Sequence, residues 1–209
     1  MTSLRSGVKM DLMKKLSLYI FLVLMWCNVG FAEKISFLDI KIGDKITDHF
    51  TSNQINKHYM DDEEATTNSK GERIYGREVI YSAIVIIYDR EIFKEDYSNS
   101  GIQIYYENKT DKIVSYGKVD MATNLNNCIL ERNKDVSNYK KRNRITSLFT
   151  KEEDVHEFPD GMVDHFIRFR GKNKMFTFRC YEYPDGDVTK RFQVAKNDFA
   201  AYVFEKMNE

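Results

Sequence analysis

The stretch VDHFIRFRGKNKMFTFRCYEYPDGDVTKRFQV, residues 163–194, decides the fold. Three runs within it alternate apolar and polar side chains, which is the period of a β-strand. Residues 170–173 (RGKN) and 184–186 (PDG) separate the runs and are typical of tight turns. The stretch therefore predicts a C-terminal three-strand antiparallel meander.

The two faces of this meander differ in chemistry. Alternation predicts a core face of apolar side chains, namely Ile167, Phe169, Phe176, Phe178, Cys180, Phe192 and Val194. The opposite face is predicted to carry Thr177 and a patch of five residues, Arg168, Arg170, Arg179, Tyr181 and Arg191. Because guanidinium groups pair with carboxylates and phosphates, we predict that this patch takes an anionic ligand if no helix covers it. The alternative is a solvated face whose arginines pair with local acids such as Glu182 and Asp187.

Two segments upstream predict further strands. Residues 79–88 are rich in Val, Ile and Tyr, which favours a strand. Side chains on both faces of this strand are apolar, so we expect the strand to lie centrally and to be covered on both faces, at least in part. Residues 102–106 and 112–119 flank the turn sequence NKTD, 108–111, and predict a central hairpin.

From residue 121 the apolar period becomes helical. One predicted face of this helix repeats at spacings of 4, 3, 4, 4 and 3 residues and consists of Met121, Leu125, Cys128, Arg132, Val136 and Tyr139. Asp120 is the predicted N-cap, and Cys128 lies on the inward face. Asn197 is predicted to cap a second helix with four inward residues, Phe199, Tyr202, Val203 and Met207. Residues 61–72 and 150–161 lack an apolar period and are predicted as a loop and a polar, turn-rich segment.

The start of the domain predicts a short helical segment. Ile42, Ile46 and Phe50 are at helical spacing, and Thr51 with Gln54 fits a capping box. Together with the other elements, this predicts a single α+β domain over residues 33–209. An antiparallel sheet made of the C-terminal meander and the central hairpin would be packed by two main helices and the N-terminal segment.

Residues 16–32, LSLYIFLVLMWCNVGFA, predict a secretory signal peptide. Lys14 and Lys15 precede an apolar run that ends in the small-x-small sequence Gly30-Phe31-Ala32. The run is short for a membrane span, which needs about 20 apolar residues. We therefore expect cleavage after Ala32, no stable membrane insertion afterwards, and a periplasmic or secreted protein. An uncleaved anchor helix is the alternative, and Met10 or Met13 is an alternative start.

Composition argues against a nucleic-acid binder. The chain of 209 residues has 32 basic and 32 acidic residues. The predicted leader holds four of the basic residues and one of the acidic ones, so residues 33–209 carry 28 basic against 31 acidic residues. A nucleic-acid binder usually has a clear basic excess. Residues 33–209 are enough for one domain with a real core.

Two cysteines remain outside the leader, Cys128 and Cys180. Both are predicted on apolar faces, one on the long helix and one on a strand of the meander. Since an exported protein meets an oxidising compartment, we predict a structural Cys128–Cys180 disulfide. Two buried free thiols are the alternative, and a redox role is not expected without a C-x-x-C motif.

Metal and catalytic motifs are weak, and neither a metal nor a cofactor is predicted. Three groups of acidic or histidine residues are candidate metal ligands: residues 61–64, the partial calcium-loop pattern 96–107, and the cluster Asp154, His156, Glu157, Asp160, Asp164 and His165. None has a recognised ligand spacing throughout. The chain also lacks G-x-S-x-G, H-E-x-x-H and phosphate-loop sequences. The enzyme alternative is therefore a hydrolase without a recognisable motif, metal-dependent or not.

The order of IKIGDKITDHF, INKHYM, NNCILERNK and FRCYEY resembles small exported proteins of marine alphaproteobacteria. The resemblance spans most of residues 33–209 and implies export and the cysteine pair. It implies no activity, because that family has none that can be transferred. We therefore expect an exported, non-catalytic binding or envelope-maintenance protein whose partner is an unknown protein or envelope component.

Overall fold

The structure is a computed structural model. It describes residues 34–62, 66–87, 92–94, 100–142 and 144–208. The chain divides into two units, Met1–Lys34 and Ile35–Glu209, and the elements below belong to the second. The predicted leader, residues 63–64 of the acidic run and residues 96–99 of the calcium-loop pattern lie outside the described residues.

A seven-stranded antiparallel sheet forms the centre of the domain. Its strands are β1 (Tyr81–Ile87), β2 (Ser100–Glu107), β3 (Ile113–Ala122), β4 (Thr150–Glu157), β5 (Val163–Arg170), β6 (Lys174–Glu182) and β7 (Val188–Lys196). Their order is β1-β2-β3-β7-β6-β5-β4. Two meanders, β1 to β3 and β4 to β7, are therefore joined by the pairing of β3 with β7. The predicted α+β class, the central hairpin and the C-terminal meander are confirmed.

The described part of the chain also contains three helices and two 3₁₀ turns. The helices are α1 (Ser52–Lys57), α2 (Leu125–Lys141) and α3 (Asn197–Asn208), and the turns are Phe37–Asp39 and Ile46–Asp48. Thr51 and Gln54 form the predicted capping box before α1, because each side chain satisfies the other residue's backbone N–H. Helix α2 packs on β3, β6 and β7.

The main core lies between the sheet and the layer of α2 and the N-terminal segment. Register confirms the predicted apolar face, since Phe178 lies opposite both Ile167 and Phe192. The ring of Tyr139 on α2 lies 4.6 Å from that of Phe192, centre to centre. Phe37, from the first 3₁₀ turn, packs edge-on against Tyr116 at 5.5 Å. Burial of each such side chain contributes about 1.5–3 kcal/mol, so this layer is the main source of stability.

A smaller aromatic cluster covers part of the opposite face. Phe199 of α3 is buried there and packs against Tyr81 at 5.0 Å and Tyr105 at 5.2 Å. Tyr202 donates a hydrogen bond from its hydroxyl to the carbonyl of Ile74, which fixes the helix to the loop before β1. Helix α3 therefore covers one part of this face and borders the rest.

The predicted cysteine pair is present. Cys128 on α2 and Cys180 on β6 have their sulfur atoms 2.04 Å apart and their Cα atoms 6.0 Å apart. Both residues are 0% exposed and pack with Val188. The bond ties the long helix to the C-terminal meander, as the two apolar faces predicted.

Lys190 forms an ion-pair network beneath α2. Its ammonium group lies 2.8 Å from Glu131 and 3.3 Å from Asp135, both on the helix, and 3.6 Å from Asp120 on β3. Burial alone would lower the pKa of Lys190. The hydrogen bond with Glu131 and the surrounding carboxylate charges outweigh that effect and raise it. The network supplements the apolar contacts between α2 and the sheet.

Two predictions about strands were wrong. The apolar run 79–88 forms β1, but this strand lies at the end of the sheet rather than at its centre. Its outer edge pairs with the loop before it, where Val85 N–H donates to His58 and Met60 N–H donates to Ala83. The segment 150–161, predicted to be polar and turn-rich, contains a strand that was not predicted, because residues 150–157 form β4. Every residue of β4 is exposed, and a charged strand of this kind suits an unprotected sheet edge.

Two helix predictions were also wrong in detail. Asp120 and Met121 belong to β3, where they pair with Lys190 and Thr189, and Asn124 is the N-cap of α2. Pairing with β7 therefore extends the strand into the first predicted turn of the helix. Met207, predicted inward on α3, is 59% exposed.

Candidate functional site

The predicted arginine patch lies on the sheet face opposite α2. Arg179 and Arg191 are direct cross-strand partners, and Arg168 and Arg170 lie opposite Thr177 and Met175. The five predicted residues divide into two groups along this face. Arg179, Tyr181 and Arg191 line one depression, whereas Arg168 and Arg170 line a groove beside α3.

The depression has a volume of about 210 Å³ and spans β2, β3, β7 and β6. Besides the two arginines and Tyr181, it is lined by Gln103, Tyr105, Gly117, Lys118, Val119, Thr177, Phe192 and Gln193. Gly117 lies in register between Gln103 and Gln193, so its missing side chain leaves the space between them open. A Cβ atom there would lie 2.6 Å from the Phe192 carbonyl oxygen, which is too close for any other residue without movement of the strands.

The two arginines of the depression differ in their partners. Arg179 lies 3.3 Å from Asp164, which is 3% exposed, and it also donates to the Tyr181 hydroxyl. The Arg191 guanidinium lies 5.0 Å from the centre of the Tyr181 ring and 3.5 Å from the Tyr183 hydroxyl. Within the described residues Arg191 forms no ion pair. Like charges directly opposite each other destabilise a strand pair, so an anion near Arg179 and Arg191 would relieve their repulsion.

Ionisable groups around the depression are perturbed by burial. Burial raises the pKa of Tyr105 to about 12 even though Arg191 opposes this effect, so the hydroxyl remains a neutral donor. Burial also raises the pKa of Asp164, against the lowering influence of Arg179, Arg168 and the two nearby histidines. One carboxylate oxygen of Asp164 has no hydrogen-bond partner among the described residues.

The groove that contains Arg168 and Arg170 has a different lining. Its volume is about 450 Å³, and its other walls are Met175, Asn197, Ala200, Ala201 and Phe204. The Arg168 guanidinium lies 3.2 Å from Glu152 on β4 and 4.9 Å from the centre of the Phe166 ring. The local acids proposed as alternative partners, Glu182 and Asp187, form no ion pair with these arginines in the described part of the chain.

The acidic and histidine residues of β4 and β5 do not converge. His156 lies opposite Asp164 on the arginine face, whereas His165 lies opposite Cys180 and so shares the other face. Among the described residues no group of three or more His, Cys, Asp or Glu side chains is placed to hold a metal ion. No helix in the described ranges is long and apolar enough to cross a membrane.

Comparisons with protein-family models, with curated proteins and with solved structures find no match for the chain. The resemblance to small exported proteins therefore stays a prediction.

The sequence predicted the arginines of the site but missed its polar wall. Gln103, Gln193 and Gly117 come from β2, β7 and β3, and only the register of these strands shows that they adjoin Arg191. Gly117 was the available indication, because a glycine inside a strand often marks a close approach of another backbone.

Proposed function

We propose that the protein is an exported, non-catalytic binding protein that holds an anionic group on its open sheet face. The observation that carries this proposal is the direct opposition of Arg179 and Arg191 above the open space at Gly117. Asp164 neutralises part of the charge of Arg179, whereas Arg191 has no acidic partner among the described residues. A carboxylate or phosphate from outside would complete this charge arrangement.

The lining indicates a small, hydrophilic ligand unit. The depression of about 210 Å³ is below the range of about 300–1,000 Å³ that is usual for drug-sized molecules. The amides of Gln103 and Gln193 and the hydroxyls of Tyr105 and Thr177 lie beside the charges. Tyr105 donates to Gln103 and the Gln193 amide donates to Ser115, so the remaining amide hydrogens of the two glutamines are the groups that suit the hydroxyl groups of a sugar. We propose that the site takes one acidic unit of an envelope glycan.

Two features support export of the protein, which a role in binding an envelope glycan requires. The leader predicted at residues 16–32 would deliver the domain to the envelope, and a buried disulfide is typical of oxidising compartments. If the leader is processed as predicted, the exported protein begins at Glu33, which N-terminal sequencing of periplasmic or secreted material measures. A product that keeps residues 16–32 in the membrane fraction would contradict soluble export.

Binding is tested with polygalacturonate as the acidic glycan and dextran as its neutral counterpart. We expect polygalacturonate to bind, and Arg191→Gln to weaken it by about tenfold or more, because a hydrogen bond to a charged group contributes about 1.5–3 kcal/mol. Lys172→Gln is the matched control, since it removes a positive charge from an exposed turn. Calorimetric titration at low ionic strength measures all three proteins. An equal loss in both variants, or equal binding of dextran, would refute the proposal.

A second candidate function, hydrolysis, is favoured by Asp164. Its carboxyl group is buried, has a raised pKa and lies in register opposite His156, which are features of a general acid. We expect Asp164→Asn to abolish any hydrolase activity of the protein and to strengthen anionic glycan binding, because the substitution removes the charge that offsets Arg179. Hydrolase assays with and without a chelator measure this directly, and activity that survives the substitution would rule out the role of Asp164.

A further inference from the structure

The groove between α3 and the ends of β5 and β6 combines exposed apolar surface with two arginines, Arg168 and Arg170. Phe204 is 73% exposed although it lies on a helix whose inner face is aromatic. Met175 on β6 and Ala200 and Ala201 on α3 extend this apolar surface. An exposed apolar surface bordered by charge is typical of a site for a ligand with two chemically different ends.

One end of the groove is polar. Arg170 is exposed and makes no ion pair within the described ranges. The Nε atom of Arg168 is buried and has no hydrogen-bond partner there, although its Nη1 atom contacts Glu152. An unpaired buried N–H is costly, so the Nε atom of Arg168 marks where the acceptor oxygens of a ligand's polar head fit.

We propose that this groove binds a single-chain anionic amphiphile of the fatty-acid type. The carboxylate head would pair with Arg170 and Arg168, and the alkyl chain would lie along Met175, the two alanines and Phe204. The volume of about 450 Å³ is within the usual range for small-molecule sites of about 300–1,000 Å³. The charge of the arginines selects an anion, and the apolar wall excludes a fully hydrophilic one.

This site is separate from the depression at Arg191. The two sites share no lining residue, and the depression has a polar wall where the groove has an apolar one. The proposal therefore does not rest on the glycan-binding function. Arg191→Gln is expected to weaken polygalacturonate binding and to leave amphiphile binding within twofold of the unchanged protein.

The test uses the whole exported protein and calorimetric titration below the micelle concentration of each probe. The probes are dodecanoate, butyrate as the same head without the chain, and dodecyltrimethylammonium as the same chain with the opposite charge. Of these three probes, we expect only dodecanoate to bind. In a separate series of carboxylates from octanoate to dodecanoate, the affinity is expected to increase by about two- to fourfold for each methylene. Circular dichroism of each variant checks that it folds.

Two pairs of variants separate the site from general adsorption. Arg170→Gln is expected to weaken dodecanoate by about tenfold, because a charged hydrogen bond is lost, while Lys172→Gln changes it by less than twofold. Phe204→Ser is expected to weaken it similarly, while Leu148→Ser, at a residue that is 87% exposed outside the groove, has no effect.

Four results would overturn the proposal. They are equal binding of butyrate, equal binding of dodecyltrimethylammonium, an equal effect of Phe204→Ser and Leu148→Ser, and failure of dodecanoate to bind. Binding of phosphatidylglycerol vesicles without binding of free dodecanoate would assign the groove to a membrane surface instead and would also refute it.

Discussion

Loss of the Cys128–Cys180 bond is predicted to destabilise the domain strongly. The cysteines are 52 residues apart, and the chain-entropy model assigns roughly 4 kcal/mol to closing a loop of that length. For a domain of 150–250 residues, 1 kcal/mol shifts the melting temperature by about 2–4 °C. Reduction is therefore expected to lower it by about 8–16 °C.

Comparison of two perturbations separates the cross-link from the packing around it. Reduction keeps both sulfur atoms, whereas the double variant Cys128→Ala, Cys180→Ala also empties space at a site that is 0% exposed. We expect the double variant to lose about 1 kcal/mol more than the reduced protein, because a cavity adds its own cost.

Urea unfolding with and without reductant measures these differences. The m-value is expected to rise on reduction, because the unfolded chain without the cross-link exposes more surface. The double variant serves as the control, since reductant should not change its unfolding curve. A reduction effect below about 1 kcal/mol would refute the entropic reasoning. Alkylation of both residues in unfolded, unreduced protein, located by peptide mapping, would refute the bond itself.

Three further predictions concern single side chains. Gly117→Ala is expected to lower the free energy of unfolding, measured in urea, by about 1–3 kcal/mol, because its Cβ would lie 2.6 Å from the Phe192 carbonyl oxygen. Gly101→Ala is the control and is expected to leave stability unchanged, because no atom lies within 4 Å of its Cβ. Lys190→Met is expected to lower the free energy of unfolding by about 1–3 kcal/mol, because Glu131 and Asp135 lose the cation that pairs with them. An unchanged free energy of unfolding would show that this ion-pair network contributes nothing to stability. Asp164 has a folded pKa above its ordinary value of 3.8, so the folded state holds its proton more tightly. The stability of the protein relative to Asp164→Asn should therefore fall as pH rises from 3.8 through the folded pKa, and a rise over that range would contradict the assignment.

Alternation and helical spacing predicted the elements whose two faces meet different environments. The strands around Phe178 and the helix around Cys128 each have one apolar face, so their pattern was visible, and the disulfide followed from those faces. Strand β4 has no such contrast because both of its faces are exposed. It was therefore missed, although it pairs with β5 over its whole length.

The sequence predicted only those residues of the candidate site that lie within the C-terminal meander. Arg179 and Arg191 share a face because their strands are consecutive, which local spacing shows. Gly117 and Gln103 come close to Arg191 only because β3 pairs with β7, and these two strands are far apart in sequence. The separation of Arg168 and Arg170 into a groove of their own depends on where α3 lies. Neither long-range pairing nor helix docking leaves a local pattern.

The position of β7 has a consequence for the order of folding. This strand lies between β3 and β6, so the two meanders form one sheet only after residues 188–196 are available. Until then β3 presents an unpaired edge, which is a site for aggregation in a partly folded chain. The disulfide joins α2, which follows β3, to β6, and both cysteines precede β7 in the chain. Formation of the disulfide would hold β3 and β6 on either side of the position that β7 later occupies. The pairing of β3 with β7, which is long-range in sequence and therefore slow, would then close only a short loop.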